Sequence, residues 1–216
     1  MKSGVPTYVN RENLLFVSPL LTNIDHFIFF GTLLGIVRDG DPINGDDDID
    51  ILVNYHHRET VIQLLTDNDL PVDFTNPLNQ TPYFLQTKRL VQGLEATIDF
   101  YFFDTTKSHI IERWNFTATP DNTSQALIIP KSLIYPVNDI PFFGSKIRLP
   151  NEPLKLCEWL YGQRWKTPRT KHEDYVVKII RNKPVLLRPL KRNVQKFVPK
   201  FLRDTAEQLL TWIRPI

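Results

Sequence analysis

The stretch that most constrains the fold is FFGTLLGIVRDGDPINGDDDIDILV, residues 29–53. The apolar residues 27–30 predict a buried strand that breaks at Gly31-Thr32, and residues 33–37 then predict about two helical turns. The first amides of a helix lack intrahelical partners and lie at the positive end of its dipole, and glycine allows a ligand to approach the backbone closely. Gly31 and Thr32 are therefore candidates for binding phosphate.

An acidic run, Asp46 to Asp50, leads directly into the apolar residues 51–53, which predict a second buried strand. Side chains alternate along a strand, so Asp48 and Asp50 are expected to share one face, with α-carbons about 6.5 Å apart. Two carboxylates placed in this way repel each other unless a counter-ion is bound. We expect Mg²⁺ or Mn²⁺, because small hard cations prefer carboxylates, water and phosphates.

Two other interpretations of the acidic run were weighed. On composition alone, such a run is typical of a solvated loop; the preceding Gly-Thr turn and the following strand favour a metal site instead. A calcium-binding loop fits poorly, because Ile43 stands where an oxygen ligand is needed and Asn44 where such loops have glycine. Asp46 and Asp47 rank lower, as loop residues that raise the local negative potential.

Residues 83–91 and 96–103 predict two strands joined by a turn at Gln92-Gly93. Asp99 is a lone carboxylate within the second strand, ATIDFYFFD, and an unpaired carboxylate is costly to bury. Asp99 therefore predicts a bound metal, a structural ion pair, or a position at an exposed strand end.

The remaining patterns predict structure rather than chemistry. Residues 10–23 indicate a helix broken or kinked near Pro19, and residues 57–67 indicate a surface helix. A third helix is expected over about residues 152–161, with Asn151 as N-cap and Gly162 after its end. We expect its buried face to contain Leu154, Cys157, Leu160 and Tyr161, with Cys157 as a core thiol. Three glycosylation sequons occur by pattern, at Asn79, Asn115 and Asn122.

Length and charge narrow the class of protein. A chain of 216 residues suits one domain with a terminal extension. The net charge of +2 does not favour nucleic-acid binding. A single cysteine, no signal peptide and no bilayer-length apolar stretch indicate a soluble cytoplasmic protein. The basic, amphipathic C-terminal third predicts a helix docked on the domain, with contact to an anionic membrane surface as the alternative.

The segment GTLLGIVRDGDPINGDDDID resembles the signature of the LicD and fukutin-related phosphotransferases, and departs from it at Asn44-Gly45, where the family has Pro-Trp. Further on, IDFYFFD resembles the family's next acidic strand, which implies Asp99 as a third active-site carboxylate and Asp104 at the strand end. The pieces NDIPFFGSKIRLP and YGQRWKTP resemble two later family elements. The resemblance covers about residues 25–170.

The resemblance implies a nucleotidyltransferase-like fold of the α+β class, a mixed sheet flanked by helices, in a catalytic domain of residues 1–182. A basic C-terminal helical extension, residues 183–216, would follow. The implied reaction is metal-dependent transfer of a substituted phosphate, such as phosphocholine or an alditol phosphate. The implied donor is CDP-linked, and the acceptor is a hydroxyl of a cell-surface glycan or its lipid-linked precursor.

In such a reaction the protein mainly positions groups and neutralises charge. Asp48, Asp50 and Asp99 would hold the metal, and Asp99 could instead accept the proton of the attacking hydroxyl. Gly31 and Thr32 would hold donor phosphates. Arg38 matches the family arginine and would neutralise a phosphate, with a surface ion pair to one of the aspartates as the alternative. Three other functions stay open: a nucleotidyltransferase, a glycosyltransferase using Asp-x-Asp, and a non-catalytic nucleotide-binding protein.

Overall fold

The structure is a computed structural model that describes residues 4–112 and 127–168. The chain divides into two units, Met1–Ile180 and Arg181–Ile216, and all described residues belong to the first. The boundary expected near residue 182 stays a prediction. The helix and the basic cluster expected within residues 183–216 lie outside the described residues.

The described chain contains both helices and strands. None of the described helices combines the length and the apolar composition that crossing a bilayer requires. The elements are α1 (Thr7–Leu20), β1 (His26–Ile28), α2 (Phe30–Asp39), β2 (Asp48–Asn54), α3 (Arg58–Asp67), β3 (Phe84–Val91), β4 (Leu94–Thr105), β5 (His109–Glu112), β6 (Leu127–Pro130), α4 (Lys131–Ile134), β7 (Asn138–Phe142), β8 (Ser145–Leu149) and α5 (Pro153–Tyr161).

Six of these strands form one mixed sheet in the order β1-β2-β4-β5-β6, with β3 also paired to β4. Strands β2 and β4 run parallel, whereas the other neighbours are antiparallel. Strands β7 and β8 form a separate hairpin. This arrangement confirms the predicted α+β class with a mixed sheet flanked by helices.

The core lies around the two parallel strands. All five interior residues of β2 are buried, and continuous burial means that both faces of the strand are covered. Helices α1 and α2 contribute Leu14, Val17, Leu33 and Leu34 to the same hydrophobic cluster. Polar side chains on β2 and β4 are therefore held in rigid, largely dry surroundings.

The start of α2 differs from the prediction. The strand before it ends at Ile28 rather than at Phe30, and the helix begins at Phe30 with a positive φ of 37°. Gly31 and Thr32 are thus in the first helical turn, not in a break between strand and helix. The early start has a physical reason, because it turns the first amides of the helix toward β2, as described below.

The last described helix also departs from the prediction. Its N-cap position is Glu152, which makes no capping bond, whereas the Asn151 side chain donates to the Ser132 carbonyl at 3.2 Å. Leu154 is 56% exposed and Leu156 is buried instead. The helix packs through Leu156, Cys157 and Leu160, so the buried face includes Leu156 in place of the predicted Leu154.

Other predicted elements agree closely with the structure. The β3–β4 hairpin turns at Gln92 and Gly93, both with positive φ, as two-residue hairpin turns require. Helix α3 occupies Arg58–Asp67, and α1 ends one residue beyond Pro19. Local patterns therefore predicted these elements to within a few residues.

Candidate active site

Three aspartates converge where β2 and β4 run side by side. Asp48 and Asp50 alternate on β2, and Asp99 on β4 is the register partner of Asp50. One carboxylate oxygen from each of the three lies within 4.8 Å of the others, and Asp50 and Asp99 are each only 6% exposed. A group of oxygen ligands at this spacing suits a divalent cation.

The electrostatics of this cluster are unfavourable by themselves. Burial raises the pKa of the Asp50 carboxyl well above its usual value, and the charges of Asp48, Asp99 and Asp46 raise it further. Burial also raises the pKa of Tyr101, and the charges of Asp50, Asp99, Asp48 and Glu112 add to this effect. A bound cation would reverse these effects, so the residues present fit the divalent ion that the sequence predicts.

The Gly31-Thr32 turn holds the central carboxylate. The amides of Gly31 and Thr32 donate to Asp50 Oδ2 at 2.9 and 3.4 Å, and the Asp50 amide donates to Thr32 Oγ1 at 2.7 Å. Amides at a helix start attract negative charge whether it belongs to a phosphate or a carboxylate. The turn predicted to bind phosphate therefore orients Asp50 in this structure.

Gly31 also leaves room for a fourth carboxylate. A Cβ at this position would lie 2.7 Å from Asp46 Oδ2 and 3.3 Å from Asp50 Oδ2. Asp46 and Asp47 form a second acidic group with Asp48, again within 4.8 Å. Asp46 and Asp47 were predicted to be loop residues that raise the local negative potential, whereas the structure brings Asp46 against the Gly31 backbone.

Arg38 lies in the last turn of α2 and pairs with a neighbouring aspartate. Its guanidinium donates to both carboxylate oxygens of Asp39, at 2.9 Å from Nε and 2.7 Å from Nη2. This is the ion pair that the sequence left open as an alternative to phosphate binding. Cys157 is buried as predicted, and burial raises the pKa of its thiol to about 12, which keeps it protonated.

A family model described as "LicD/FKTN/FKRP, nucleotidyltransferase domain" matches residues 23–152, which is more than half of the 216 residues. The chain belongs to this family. Members of this family transfer a nucleotide or a phosphate-bearing group, so the chain is a transferase of this general kind. The match contains all six residues predicted for the site: Gly31, Thr32, Arg38, Asp48, Asp50 and Asp99.

Solved structures give more distant similarities. The lincosamide antibiotic adenylyltransferase LnuA, bound to lincomycin, has a TM-score of 0.46 and 16% identity, over 67% of this chain and 82% of that one. ANT(2")-Ia, in complex with adenylyl-2"-tobramycin, has a TM-score of 0.43 and 12% identity, over 75% of this chain and 79% of that one. No curated protein sequence matches this chain.

A further residue of this LicD-family site was missed by the sequence analysis. Gln86 on β3 donates from Nε2 to Asp99 Oδ1 at 2.8 Å. The Asn79 side chain holds the Gln86 backbone, accepting from its amide at 2.6 Å and donating to its carbonyl at 3.0 Å. The sequence did show a glutamine on the strand expected to pair with β4. Only the register of the two strands, however, reveals that Gln86 lies opposite Asp99.

The Asn79 bonds also bear on one predicted sequon. Asn79 is 1% exposed, and its amide nitrogen donates to the carbonyls of Asp73 and Gln86. A glycan on that nitrogen is incompatible with this fold, because the site is buried and the bonds would be lost. The other two sequons, Asn115 and Asn122, lie outside the described residues.

Aromatic rings line one side of the aspartates. Tyr101 follows Asp99 at the i+2 position of β4, so both side chains are on one face. The Tyr101 ring packs edge-on against Phe30 and Phe84, with centroids 5.0 and 5.2 Å away. This wall limits the access of water to the carboxylates.

Proposed function

We propose that this chain transfers a substituted phosphate, such as phosphocholine or an alditol phosphate, from a CDP-linked donor to a glycan hydroxyl. The acceptor would be a cell-surface glycan or its lipid-linked precursor. The observation that carries the proposal is the convergence of Asp48, Asp50 and Asp99 beside the start of α2. The nature of the transferred group and the acceptor rests on the family resemblance of the motifs.

Asp48, Asp50 and Asp99 are the proposed ligands of Mg²⁺ or Mn²⁺. The raised pKa of Asp50 and the crowding of carboxylates support this assignment, since charge repulsion is relieved by a bound cation. A cation held there would supply neutralisation of charge on the donor phosphates. The softer metals are disfavoured, because the two groups of carboxylates contain no cysteine or histidine among the described residues.

Gly31, Thr32 and Arg38 are the proposed phosphate-binding residues. The amides of Gly31 and Thr32, in the first turn of α2, carry partial positive charge and donate to the Asp50 carboxylate in the present structure. Arg38 would have to exchange its contact with Asp39 for one with a phosphate. Solvent weakens this pair on the side of Asp39, whose side chain is 42% exposed, whereas the Arg38 side chain is only 9% exposed.

Asp99 is the proposed proton acceptor or third metal ligand. In the transfer, the acceptor hydroxyl oxygen forms a bond to the donor's distal phosphorus while the bond to the CMP oxygen breaks. The hydroxyl proton passes to a carboxylate, and CMP leaves with the electron pair of the broken bond. The Gln86 bond to Asp99 Oδ1 would keep that carboxylate oriented throughout.

Calorimetric titration of CTP, CDP, CMP and CDP-choline, with Mg²⁺ and again with EDTA, tests the proposal. We expect cytidine-selective binding that needs Mg²⁺ and is lost in Asp50→Asn. Asp67→Asn, at the end of the surface helix α3, is the matched control and should bind like the wild type. Absence of nucleotide binding under both conditions would contradict the proposal and favour a non-catalytic protein of this fold.

A nucleotidyltransferase reaction is the second candidate, because the matched domain is described as a nucleotidyltransferase domain. The two reactions differ in the phosphorus that is attacked, and so in the product released. Phosphate-group transfer from a CDP-linked donor releases CMP, whereas transfer of a nucleotide from CTP releases pyrophosphate. A glycosyltransferase using Asp48 and Asp50 would instead release CDP from a CDP-linked sugar, so product analysis separates all three.

A further inference from the structure

The loop before β2, residues 40–47, is attached to the N-terminal segment by backbone bonds. The Val5 amide donates to the Asp46 carbonyl at 3.0 Å, and the Gly45 amide donates to the Val5 carbonyl at 3.0 Å. A Cβ at Gly4 would come within 1.7 Å of the Gly45 carbonyl oxygen, so the two backbones touch. The N-terminal segment thus fixes the loop at the point where the family's Pro-Trp is replaced.

Two asparagines of α1 donate hydrogen bonds to the backbone close to the aspartates, one to the loop before β2 and one to β4. Asn10 and Asn13 lie one turn apart on the same helix face, and both are fully buried. The Asn10 side-chain nitrogen donates to the Asp46 carbonyl at 3.2 Å, and that of Asn13 donates to the Thr97 carbonyl at 3.0 Å. Each acceptor lies two residues before a carboxylate of the proposed metal site.

These two bonds act on strands that are already in register. Asp48 pairs with Thr97 and Asp50 pairs with Asp99 across the parallel ladder. A helix that holds the backbone at residues 46 and 97 therefore fixes the loop before β2 and the first β4 residue of the parallel ladder at once. Any shift of one strand along the other would separate Asp50 from Asp99.

Packing alone does not explain why these buried residues are asparagines. The Oδ1 atoms of Asn10 and Asn13 are buried without a hydrogen-bond partner among the described residues. An acceptor that leaves water without gaining a donor lowers stability, and a leucine of similar size would avoid that loss. The side-chain nitrogen of each asparagine, which donates a hydrogen bond, therefore explains why asparagine rather than an apolar residue occupies the position.

Arg11 holds the other end of the loop. Its guanidinium makes a bidentate ion pair with Asp41, and it lies 4.2 Å from the ring centroid of Phe143. The Asp41 carbonyl in turn lies against α2, where a Cβ at Gly35 would come within 2.7 Å of it. The loop is thus held at both ends by α1 and at its start by α2.

We propose that α1 and the segment before it, which precede the family-matched residues, position the metal site. Asn10, Asn13 and Arg11 are positioning residues that act through the backbone of the loop and of β4. The inference rests on the proposed metal site and goes beyond it, because it assigns part of the cation affinity to residues that touch no carboxylate of that site.

Arg11→Gln separates positioning from simple electrostatics. Removing a positive charge near an acidic cluster would, by Coulomb interaction alone, strengthen cation binding. Loss of the anchor instead predicts Mn²⁺ affinity about threefold weaker, the size expected for a partly exposed ion pair. The Arg11 side chain is 30% exposed, so the variant is expected to fold, and Mn²⁺ affinity can be measured by calorimetry and electron paramagnetic resonance. Unchanged or tighter binding would overturn the proposal.

Asn10→Leu and Asn13→Leu test the two buried bonds. We expect each variant to keep its thermal stability and to bind Mn²⁺ at least about tenfold more weakly, as for other residues that orient metal ligands. Val17→Ala is the matched control, because it creates a cavity beside the same helix at a fully buried residue. It should lower thermal stability while leaving Mn²⁺ affinity unchanged.

The outcomes distinguish this inference from the proposed function. Wild-type protein that binds no Mn²⁺ would remove the metal site itself, and the inference with it. Wild-type protein that binds Mn²⁺, together with asparagine variants of equal affinity, would overturn the inference alone. A loss of affinity in Val17→Ala equal to that in Asn13→Leu would also overturn it, because stability rather than positioning would then explain both.

Discussion

At the level of single residues, the site depends on one aspartate that is held by three hydrogen bonds. Asp50 accepts from two amides of α2 through its side chain, and its own amide donates to the Thr32 hydroxyl. Such bonds favour the charged form of Asp50 and partly offset the burial that disfavours it. Position 31 therefore needs a residue that leaves space for the carboxylates, and position 32 needs a side-chain hydroxyl that accepts from the Asp50 amide.

Gly31→Ala tests the space around Asp50. Alanine suits a helix better than glycine by up to about 1 kcal/mol, so the free energy of unfolding should not fall. The added Cβ would lie 2.7 Å from Asp46 Oδ2, and we expect the displaced carboxylates to weaken Mn²⁺ binding about tenfold or more. Calorimetry with Mn²⁺ and urea unfolding measure the two effects separately.

The control for that variant is Gly144→Ala in the β7–β8 turn. Its φ of +83° strains any other residue, so stability should fall while cation affinity stays at the wild-type value. Equal cation affinity in Gly31→Ala and the wild type would contradict the assigned role of Gly31.

At the level of elements, the parallel pairing of β2 and β4 and the hairpin of β3 with β4 bring the polar groups together. Strand β4 is paired on one side with β2 and on the other with β3 over the same residues, so Asp99 has Asp50 and Gln86 as its register partners. The central position of Asp99 follows from this double pairing, which excludes the exposed strand end that the sequence left open.

Gln86→Leu tests the contribution of the hairpin. Leucine cannot donate to Asp99, so the carboxylate loses a fixed orientation and we expect turnover to fall about tenfold to a hundredfold. The donor KM should change little, because Gln86 is proposed to act through Asp99 alone. Steady-state kinetics with a CDP-linked donor and Mg²⁺ measure both constants.

Lys88→Gln is the matched control on the same strand. Lys88 is exposed and pairs with Glu95, so its replacement should leave turnover unchanged. Turnover in Gln86→Leu equal to that of the control would mean that the bond to Asp99 has no functional role.

At the level of the whole molecule, one buried histidine makes stability depend on pH. His26 is 4% exposed, and burial lowers its pKa to about 4, although its Nδ1 lies 2.9 Å from the Ile24 carbonyl oxygen. Below pH 6.5 the unfolded chain gains a proton on this ring that the folded protein does not take up. The contribution of His26 to the free energy of unfolding is therefore fully present above about pH 6.5 and is lost as the pH falls toward 4.

We expect the free energy of unfolding to fall by about 2 kcal/mol between pH 7 and pH 5 because of His26. The raised pKa of Asp50 acts in the opposite sense, since its contribution is lost as the pH rises. Comparison with His26→Gln isolates the histidine, because the variant should lack this part of the slope. Urea unfolding at the two pH values measures it, and a slope in His26→Gln equal to that of the wild type would contradict this role of His26.

Much of the fold was predictable because it depends on local patterns. The hairpin at Gln92-Gly93 and strand β2 follow from turn chemistry and from alternation, which act between neighbouring residues. The errors were also local. The helix start at Phe30 is a boundary that propensities do not determine to within one residue, and the exposure of Leu154 depends on which face of its helix packs against the core.

The sequence by itself determined that Asp48 and Asp50 share one face of a strand and that the chain resembles this family, because alternation and motif spacing are properties of the covalent chain. Only the tertiary structure decided that Asp50 pairs with Asp99, that Gln86 reaches Asp99, and that Asn10 and Asn13 hold the two strands. These contacts join segments that are distant in sequence, and their register is selected by burial of the whole core rather than by any local preference.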